Sequence, residues 1–302
     1  MAVAYGAEPA VRAMEAADLP RVATIFRSAF NEMYRRRGFG PVVADQAVGA
    51  VIAETYRSLD PDHCLVVTVG DRVVASGFLH VRGETAGVGP ITVDPAHQAA
   101  GCGQTLMREI CARADRAGVL SLRLIQDAFN EVSFCLYGRV GFVARETLVR
   151  GSFRSRPDVG VYRSTRRATN EDIGAIVALE HDLIGIERAK DHEHLMRMGE
   201  TFLVGDRELD GCMSRLVRGG VAVLGPAVSR NLDTMLDLVQ AASRDLPLRT
   251  DTRLLLPASA HDLLSVMYEA GFEVHSLCSY MVRGEFTPFR GYYVPTLFPE
   301  SG

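Results

Sequence analysis

No uninterrupted apolar run among the 302 residues approaches the roughly 20 that a membrane helix needs, so no membrane span is expected. The opening residues MAVAYGAEPAVRAME lack a basic start followed by an apolar block, which is the form of an export signal. A cytoplasmic protein is the expectation. The six cysteines, at 64, 102, 111, 135, 212 and 278, include no C-x-x-C pair, and most lie inside apolar segments as small buried hydrophobes do. Neither a metal site nor a disulfide framework is expected. Positive charge is not in excess either: the formal net charge of −4 supplies no electrostatic reason to bind a nucleic-acid backbone. Arg35, Arg36 and Arg37 form the only compact basic run, read as a solvated helix end, with contact to an anionic ligand as the alternative.

Marks of disorder, collagen and low complexity are also missing. Hydrophobic residues at 47% and charged residues at 23% are near the averages for folded globular chains. The length suffices for two domains, each with its own apolar core.

A repeat is present. The segment LYGRVGFVARETLVRGSF (136–153) is echoed by MYEAGFEVHSLCSYMVRGEF (267–286), and Gly89-Pro90 is echoed by Gly225-Pro226. Each half opens with an arginine-led strand and an acidic helix start, around Asp18 and around Asp172. A repeat constrains architecture before any single element is argued. We therefore expect two domains, 1–160 and 161–302, divided within SRPDVGVYRST.

In the first half, Leu19, Val22, Ile25, Phe26 and Phe30 recur at helical spacing behind Asp18 as N-cap and Pro20 in the first turn. LVVTV and RVVASGFLHV, separated by Gly70-Asp71, read as a hairpin. VGPITV follows, ending at Asp94-Pro95. Leu106, Met107, Ile110 and Ala114 then mark an amphipathic helix stopped by Gly118. LSLRLI alternates Leu120, Leu122 and Leu124 with Ser121 and Arg123, as a half-covered strand would. The sum is a mixed α/β layer structure in which a strand feeds a glycine-rich helix start.

That helix start is the informative segment. A helix N-terminus exposes N–H groups without intrahelical partners and the positive end of the dipole, which suits a pyrophosphate. Gly101 and Gly103 allow close backbone approach and conformations that a Cβ would hinder. Two other glycine-phosphate motifs fail on spacing. Position 106 is Leu where G-x-G-x-x-G needs Gly, and no Gly-Lys-Ser/Thr follows for a P-loop.

What remains is Q-x-x-G-x-G after a V-x-P turn, and it resembles the acetyl-CoA-binding loop of the GNAT N-acetyltransferase superfamily. The resemblance extends through NEVSFCLYGRVGF and covers about residues 88–145. It implies an α/β fold of two GNAT-like mixed-sheet domains in tandem, with acetyl-CoA as cosubstrate. It further implies that Ile91, Thr92 and Val93 pair their backbone with the pantetheine arm. Gln98, Ala99, Ala100, Gly101, Cys102, Gly103, Gln104 and Thr105 would hold the pyrophosphate, and Asn130 would contact the pantetheine amides. Tyr137 matches the family tyrosine that protonates the departing thiolate, which a phenol within hydrogen-bonding reach can do. Cys102 and the Ala99-Ala100 pair depart from the family's usual residues without removing backbone donors. The general base is left open among Glu32, His80, Asp127 and a bound water.

At the corresponding place the second half reads GPAVSRNLDTMLDLVQ, with no glycine pair, so it is expected to keep the fold without the phosphate loop. His192 and His194 point to different helix faces and read as solvated rather than metal-binding. Arg188 is read as a surface charge, with an acidic acceptor as its alternative partner. The tail GYYVPTLFPESG either docks as a strap or frays. The expected function is transfer of acetyl from acetyl-CoA to the primary amine of a small molecule by direct attack, in a monomer or a homodimer. The alternative is a non-enzymatic acyl-CoA sensor or partner-binding module.

Overall fold

The structure is a computed structural model that describes residues 8–154, 157–159, 164–205 and 208–296. The chain forms two compact units, Met1–Leu124 with Asn130–Val143, and Ile125–Phe129 with Ala144–Gly302. No helix among the described residues is long and apolar enough to cross a membrane.

The first unit runs β1 Ala10–Ala13, α1 Leu19–Arg35, α2 Gln46–Leu59, β2 Cys64–Val69, β3 Arg72–Arg82, β4 Thr85–Val88, β5 Thr92–Val93, α3 Cys102–Arg116, the start of β6 Ser121–Asp127, and α4 Glu131–Gly138. Its sheet order is β1-β2-β3-β4-β6, with β5 also on β3. The hairpin turns at Gly70-Asp71 as expected, pairing Val69 with Arg72. β4 pairs with β6 in parallel at only three positions, from Thr85 with Ser121 to Gly87 with Arg123.

Val22 and Ile25 of α1 are buried with Ala53 and Tyr56 of α2 over Phe78 of the sheet. Burying such a side chain contributes about 1.5–3 kcal/mol. Two expectations need correction here. Asp18 does not cap α1 with its side chain; its carboxylate accepts the Glu15 N–H at 2.8 Å and two bonds from Arg12 at 2.6 and 2.8 Å. β6 is covered on both faces, with Ser121 and Arg123 4% and 2% exposed, because the Arg123 guanidinium finds internal partners such as the Ser121 hydroxyl. Alternation of polar and apolar residues thus misread a fully buried strand. The sequence reading also missed α2, although Asp45 caps it by accepting the Ala47 N–H at 2.9 Å.

The second unit contains β7 Val143–Phe153, β8 Thr165–Arg167, α5 Ile173–Ile184, α6 Ala189–Met198, β9 Glu200–Val204, β10 Gly211–Arg218, β11 Val221–Ser229, α7 Leu232–Ser243, β12 Asp251–Pro257, α8 His261–Glu269, β13 Glu273–Gly284 and β14 Tyr292–Val294. The order is β13-β7-β12-β11-β10-β9-β8, with β14 also on β11. β7, which the repeat assigns to the first half, lies between β12 and β13 here. Its Gly151 has no room for a side chain, since a Cβ would come within 2.3 Å of the Glu273 carbonyl. The compact units change over at Val143–Ala144. Pairing on both edges and burial of Leu148, Val149 and Phe153 decide where this strand goes.

The repeated punctuation is structural. Arg166 grips Asp172 at 2.9 and 2.7 Å as Arg12 grips Asp18, and Gly89-Pro90 and Gly225-Pro226 are both cis. From β9 to β13 the strand and helix order follows that of β2 to β7, apart from a break between β4 and β5.

Candidate functional site

β5 leads into the expected phosphate loop through Asp94, a 3₁₀ turn over Pro95–Ala100, and Gly101, which stands as the N-cap of α3. Gly101 has φ +75°, a left-handed conformation that favours glycine, and a Cβ there would meet open space. Having no side chain, Gly101 cannot cap the amides of Cys102, Gly103 and Gln104, the residues that open α3. Across the junction the Thr105 N–H donates to the Gly101 carbonyl at 3.0 Å. At Gly103 a Cβ would sit 3.3 Å from Leu136 and 3.5 Å from Val93, so glycine there also lets α3 close onto α4.

Gln98 is exposed, its amide 3.5 Å from the Val93 carbonyl, and Cys102 turns its thiol into the core. Burial raises the Cys102 thiol above its ordinary value, against the pull of a backbone hydrogen bond. Thr92 is buried, its hydroxyl 2.7 Å from that of Ser76, and β5 pairs with Ala75 and Ser76 on the β3 side. The β4–β6 ladder has already ended at Gly87, so Ile91–Val93 lie beyond the last paired rung.

Asn130 caps α4, its Oδ1 accepting the Ser133 N–H at 3.2 Å while its Nδ2 donates to the Ser133 hydroxyl at 2.7 Å. The same amide lies 2.9 Å from the sulfur of Met33. Ser133 in turn is hydrogen-bonded to the phenol of Tyr137, which is 7% exposed. Burial pushes that phenol up to about 12 and the Ser133 contact only partly offsets this. Tyr137 is accordingly a protonated donor at neutral pH. Leu136 beside Gly103 brings its helix against the glycine loop.

The three candidate bases are all engaged. Glu32 is held by Arg35 and Arg36, whose hydrogen bonds lower it to about 2. Arg37 pairs with Glu131, so the basic run is a set of ion pairs at a helix end. His80 is fully buried, and Asp127 pairs with Arg150. Sequence reasoning missed Asp94, which accepts the Ala96 N–H at 3.0 Å and an ion pair from Arg21. An Asp-Pro pair at a helix entry was the available signal.

The Acetyltransferase (GNAT) family profile matches residues 43–142, the span that holds the glycine loop, Asn130 and Tyr137. That span is similar to GNAT acetyltransferases. GNAT chemistry is acyl transfer with acetyl-CoA as cosubstrate. No curated protein matches the sequence. Among solved structures, a candidate acetyltransferase from Pyrococcus horikoshii is 20% identical with a TM-score of 0.78, over 97% of this chain and 96% of that one. A GCN5-related N-acetyltransferase from Sphaerobacter thermophilus is 14% identical, TM-score 0.64, over 94% and 98% of the two chains. Another from Kribbella flavida is 18% identical, TM-score 0.59, over 94% and 72%. At these identities the likeness is one of fold, and it runs beyond residues 43–142 through both units.

In the second half, α7 begins behind Asn231, whose side chain accepts the Thr234 N–H at 2.9 Å. The amide that an uncapped helix would offer a phosphate is here satisfied by protein. Other second-half expectations change. His192 and Arg188 are not solvated: Arg188 is 1% exposed and donates to Glu180 at 2.6 and 3.0 Å, and His192 Nε2 lies 2.8 Å from the same carboxylate. The charge of Glu180 draws both inward. The tail docks over Tyr292–Val294, while residues 297–302 lie outside the described set.

Proposed function

We propose that the chain transfers the acetyl group of acetyl-CoA to the primary amine of a small molecule by direct attack. The observation that supports this most is the helix start at Gly101, uncapped by any side chain and packed through Gly103 against the helix that carries Tyr137. Amides between Gln98 and Thr105 hold the pyrophosphate, and the backbone of Ile91–Val93 receives the pantetheine arm. Asn130 keeps Ser133 and Tyr137 in place at the start of α4 and adds a contact to the pantetheine amides.

The neutral amine nitrogen attacks the thioester carbonyl carbon. The carbon–sulfur bond then breaks and the CoA sulfur takes the Tyr137 phenolic proton; the attacking nitrogen, positively charged in the tetrahedral intermediate, gives its proton to water, and solvent returns a proton to the Tyr137 oxygen. Glu32, His80 and Asp127 are tied to cations or acceptors, so solvent is the proton sink in this reading. Turnover then rises with pH as the acceptor amine loses its proton. By the repeat, residues 1–160 supply the acetyl-CoA-binding GNAT domain and 161–302 a degenerate copy.

A thiol-release assay with acetyl-CoA over pooled aminoglycosides, polyamines, amino acids and peptides tests the reading. Release with at least one amine is expected. Binding of acetyl-CoA without transfer to any of them would favour the sensor alternative.

A further inference from the structure

We propose that His80 is a positioning residue that sets the strand Ile91–Val93 through the carbonyl of Gly89. The proposal rests on the acetyl-CoA reading of that strand. His80 lies near the C-terminal end of β3, wholly buried, with Nδ1 3.0 Å from Asp60 Oδ2 and Nε2 3.2 Å from the Gly89 carbonyl. Each ring nitrogen thus lies within hydrogen-bonding reach of one oxygen, the Asp60 carboxylate on one side and the Gly89 carbonyl on the other. Asp60 is itself clamped by Arg82 at 3.0 and 2.9 Å. The Gly89 N–H donates to Phe78 at 3.0 Å, so this residue is held at both ends where the chain leaves β4 for β5. Gly89 has φ 139°, a conformation few other residues adopt.

The repeat supplies a control. His80 pairs with Gly87, and Leu216 pairs with Val223 at the equivalent rung, nine residues before Gly225 as His80 is nine before Gly89. The half with the glycine loop has the imidazole; the half without it has Leu.

The test compares His80→Asn, whose amide replaces Nδ1 and reaches Asp60, with His80→Gln, whose amide replaces Nε2 and reaches Gly89. In H80N, acetyl-CoA is expected to bind about tenfold more weakly, the worth of one buried hydrogen bond, with kcat changed less than about threefold. Amide exchange at Thr92 and Val93 is expected to quicken in H80N and not in H80Q, which also keeps the affinity. Equal loss of affinity in both variants would overturn the proposal. So would an H80Q enzyme that binds normally and does not turn over, since His80 would then be the base. Should H80N not fold, Arg82→Lys loosens the same chain from its far end and is expected to weaken binding in the same direction; unchanged binding there counts against the proposal. No binding by the unaltered chain would instead remove the acetyl-CoA reading, and the exchange comparison would still decide what His80 positions.

A second inference comes from backbone register alone. In both halves a parallel ladder stops after three rungs: Thr85–Gly87 with Ser121–Arg123, and Val221–Val223 with Asp251–Arg253. Counted from each Gly-Pro pair, Ile91, Thr92 and Val93 correspond to Ala227, Val228 and Ser229. Those three residues are the ones that β14 pairs, as Val294, Tyr293 and Tyr292. We infer that the C-terminal strand is a built-in occupant of the edge that in the first half receives the pantetheine arm. Tyr293 and Val294 are buried, and Tyr292 adds a hydrogen bond to Asp262.

The unaltered chain is therefore expected to bind one acetyl-CoA by calorimetry, and two would overturn the inference. Val294→Asp in the full chain is expected to raise amide exchange at 227–229 at least about tenfold while the single acetyl-CoA site is kept. Tyr292→Phe serves if V294D does not fold, with a smaller rise. Unchanged exchange in the variant would show that the strand does not guard this edge.

Discussion

Arg21 and Asp94, 73 residues apart in the chain, form an ion pair that fastens α1 to the entry of the glycine loop. Arg21 also donates from Nε to the Val73 carbonyl at 3.0 Å, and Asp94 caps the 3₁₀ turn through Ala96. Asp94→Ala is expected to cost about 1–2 kcal/mol, the range for a lost cap. Thermal melting should show a lower midpoint, and calorimetry a weaker acetyl-CoA affinity. A loop that binds as before would show that Asp94 is only a stability element.

Gly101→Val places a β-branched side chain at φ +75° in otherwise open space. The backbone must shift, at a cost of about 1–3 kcal/mol. Acetyl-CoA binding is expected to fall by tenfold or more, read by calorimetry, with the melting midpoint lowered only slightly.

Tyr137→Phe removes the phenolic proton and leaves the packing of the ring against Phe142, 6.1 Å between centroids. General-acid catalysis contributes about 10²–10⁴-fold, so kcat should drop within that range while the affinity for acetyl-CoA is kept. Because burial raises the phenol to about 12, the unaltered enzyme should show no loss of this acid through the ordinary tyrosine range. A Tyr137→Phe enzyme with normal turnover at every pH would exclude the role.

Asp60 supplies a pH test. Burial works to raise its carboxyl, but hydrogen bonds from His80 and Arg82 and their charges outweigh this and hold it well below the ordinary value of 3.8. A group lowered on folding stabilises the protein above its unfolded pKa, and that contribution is lost as pH falls through the folded one. Asp60→Asn should therefore lower the urea midpoint at pH 7 and flatten its decline below about pH 4. Parallel acid limbs in the two proteins would contradict the assignment.

The Glu180–Arg188 pair predicts an asymmetry. Both side chains are at most 1% exposed, and removing one partner of such a pair costs about 3–5 kcal/mol because a buried charge is left behind. Arg188→Met should thus melt far below the unaltered chain. Changing Glu180 to Leu as well should recover much of the loss, which thermal melts of the single and double variants will show.

The local geometry of the candidate site was legible in the sequence. The Gln98–Thr105 loop, Asn130 and Tyr137 sit within short, ordered stretches whose turn chemistry and helix caps are written in neighbouring residues. The Gly70-Asp71 hairpin and the Gly118 helix stop were legible for the same reason. Buried charges were not: Arg123, Arg188 and His192 read as surface residues, since the partners that make their burial tolerable lie elsewhere in the chain or depend on the folded packing.

By itself the sequence determined the α/β class, the internal repeat and which half retains the glycine pair, because periodicity, turns and caps act over a few residues. Tertiary structure alone decided that β7 belongs among the strands of the second unit, that β14 covers Ala227–Ser229, and that His80 faces Gly89 and Asp60. Strand order and the partners of a buried ring depend on which distant segments offer free backbone edges and matching acceptors. That choice is made only when the whole chain packs.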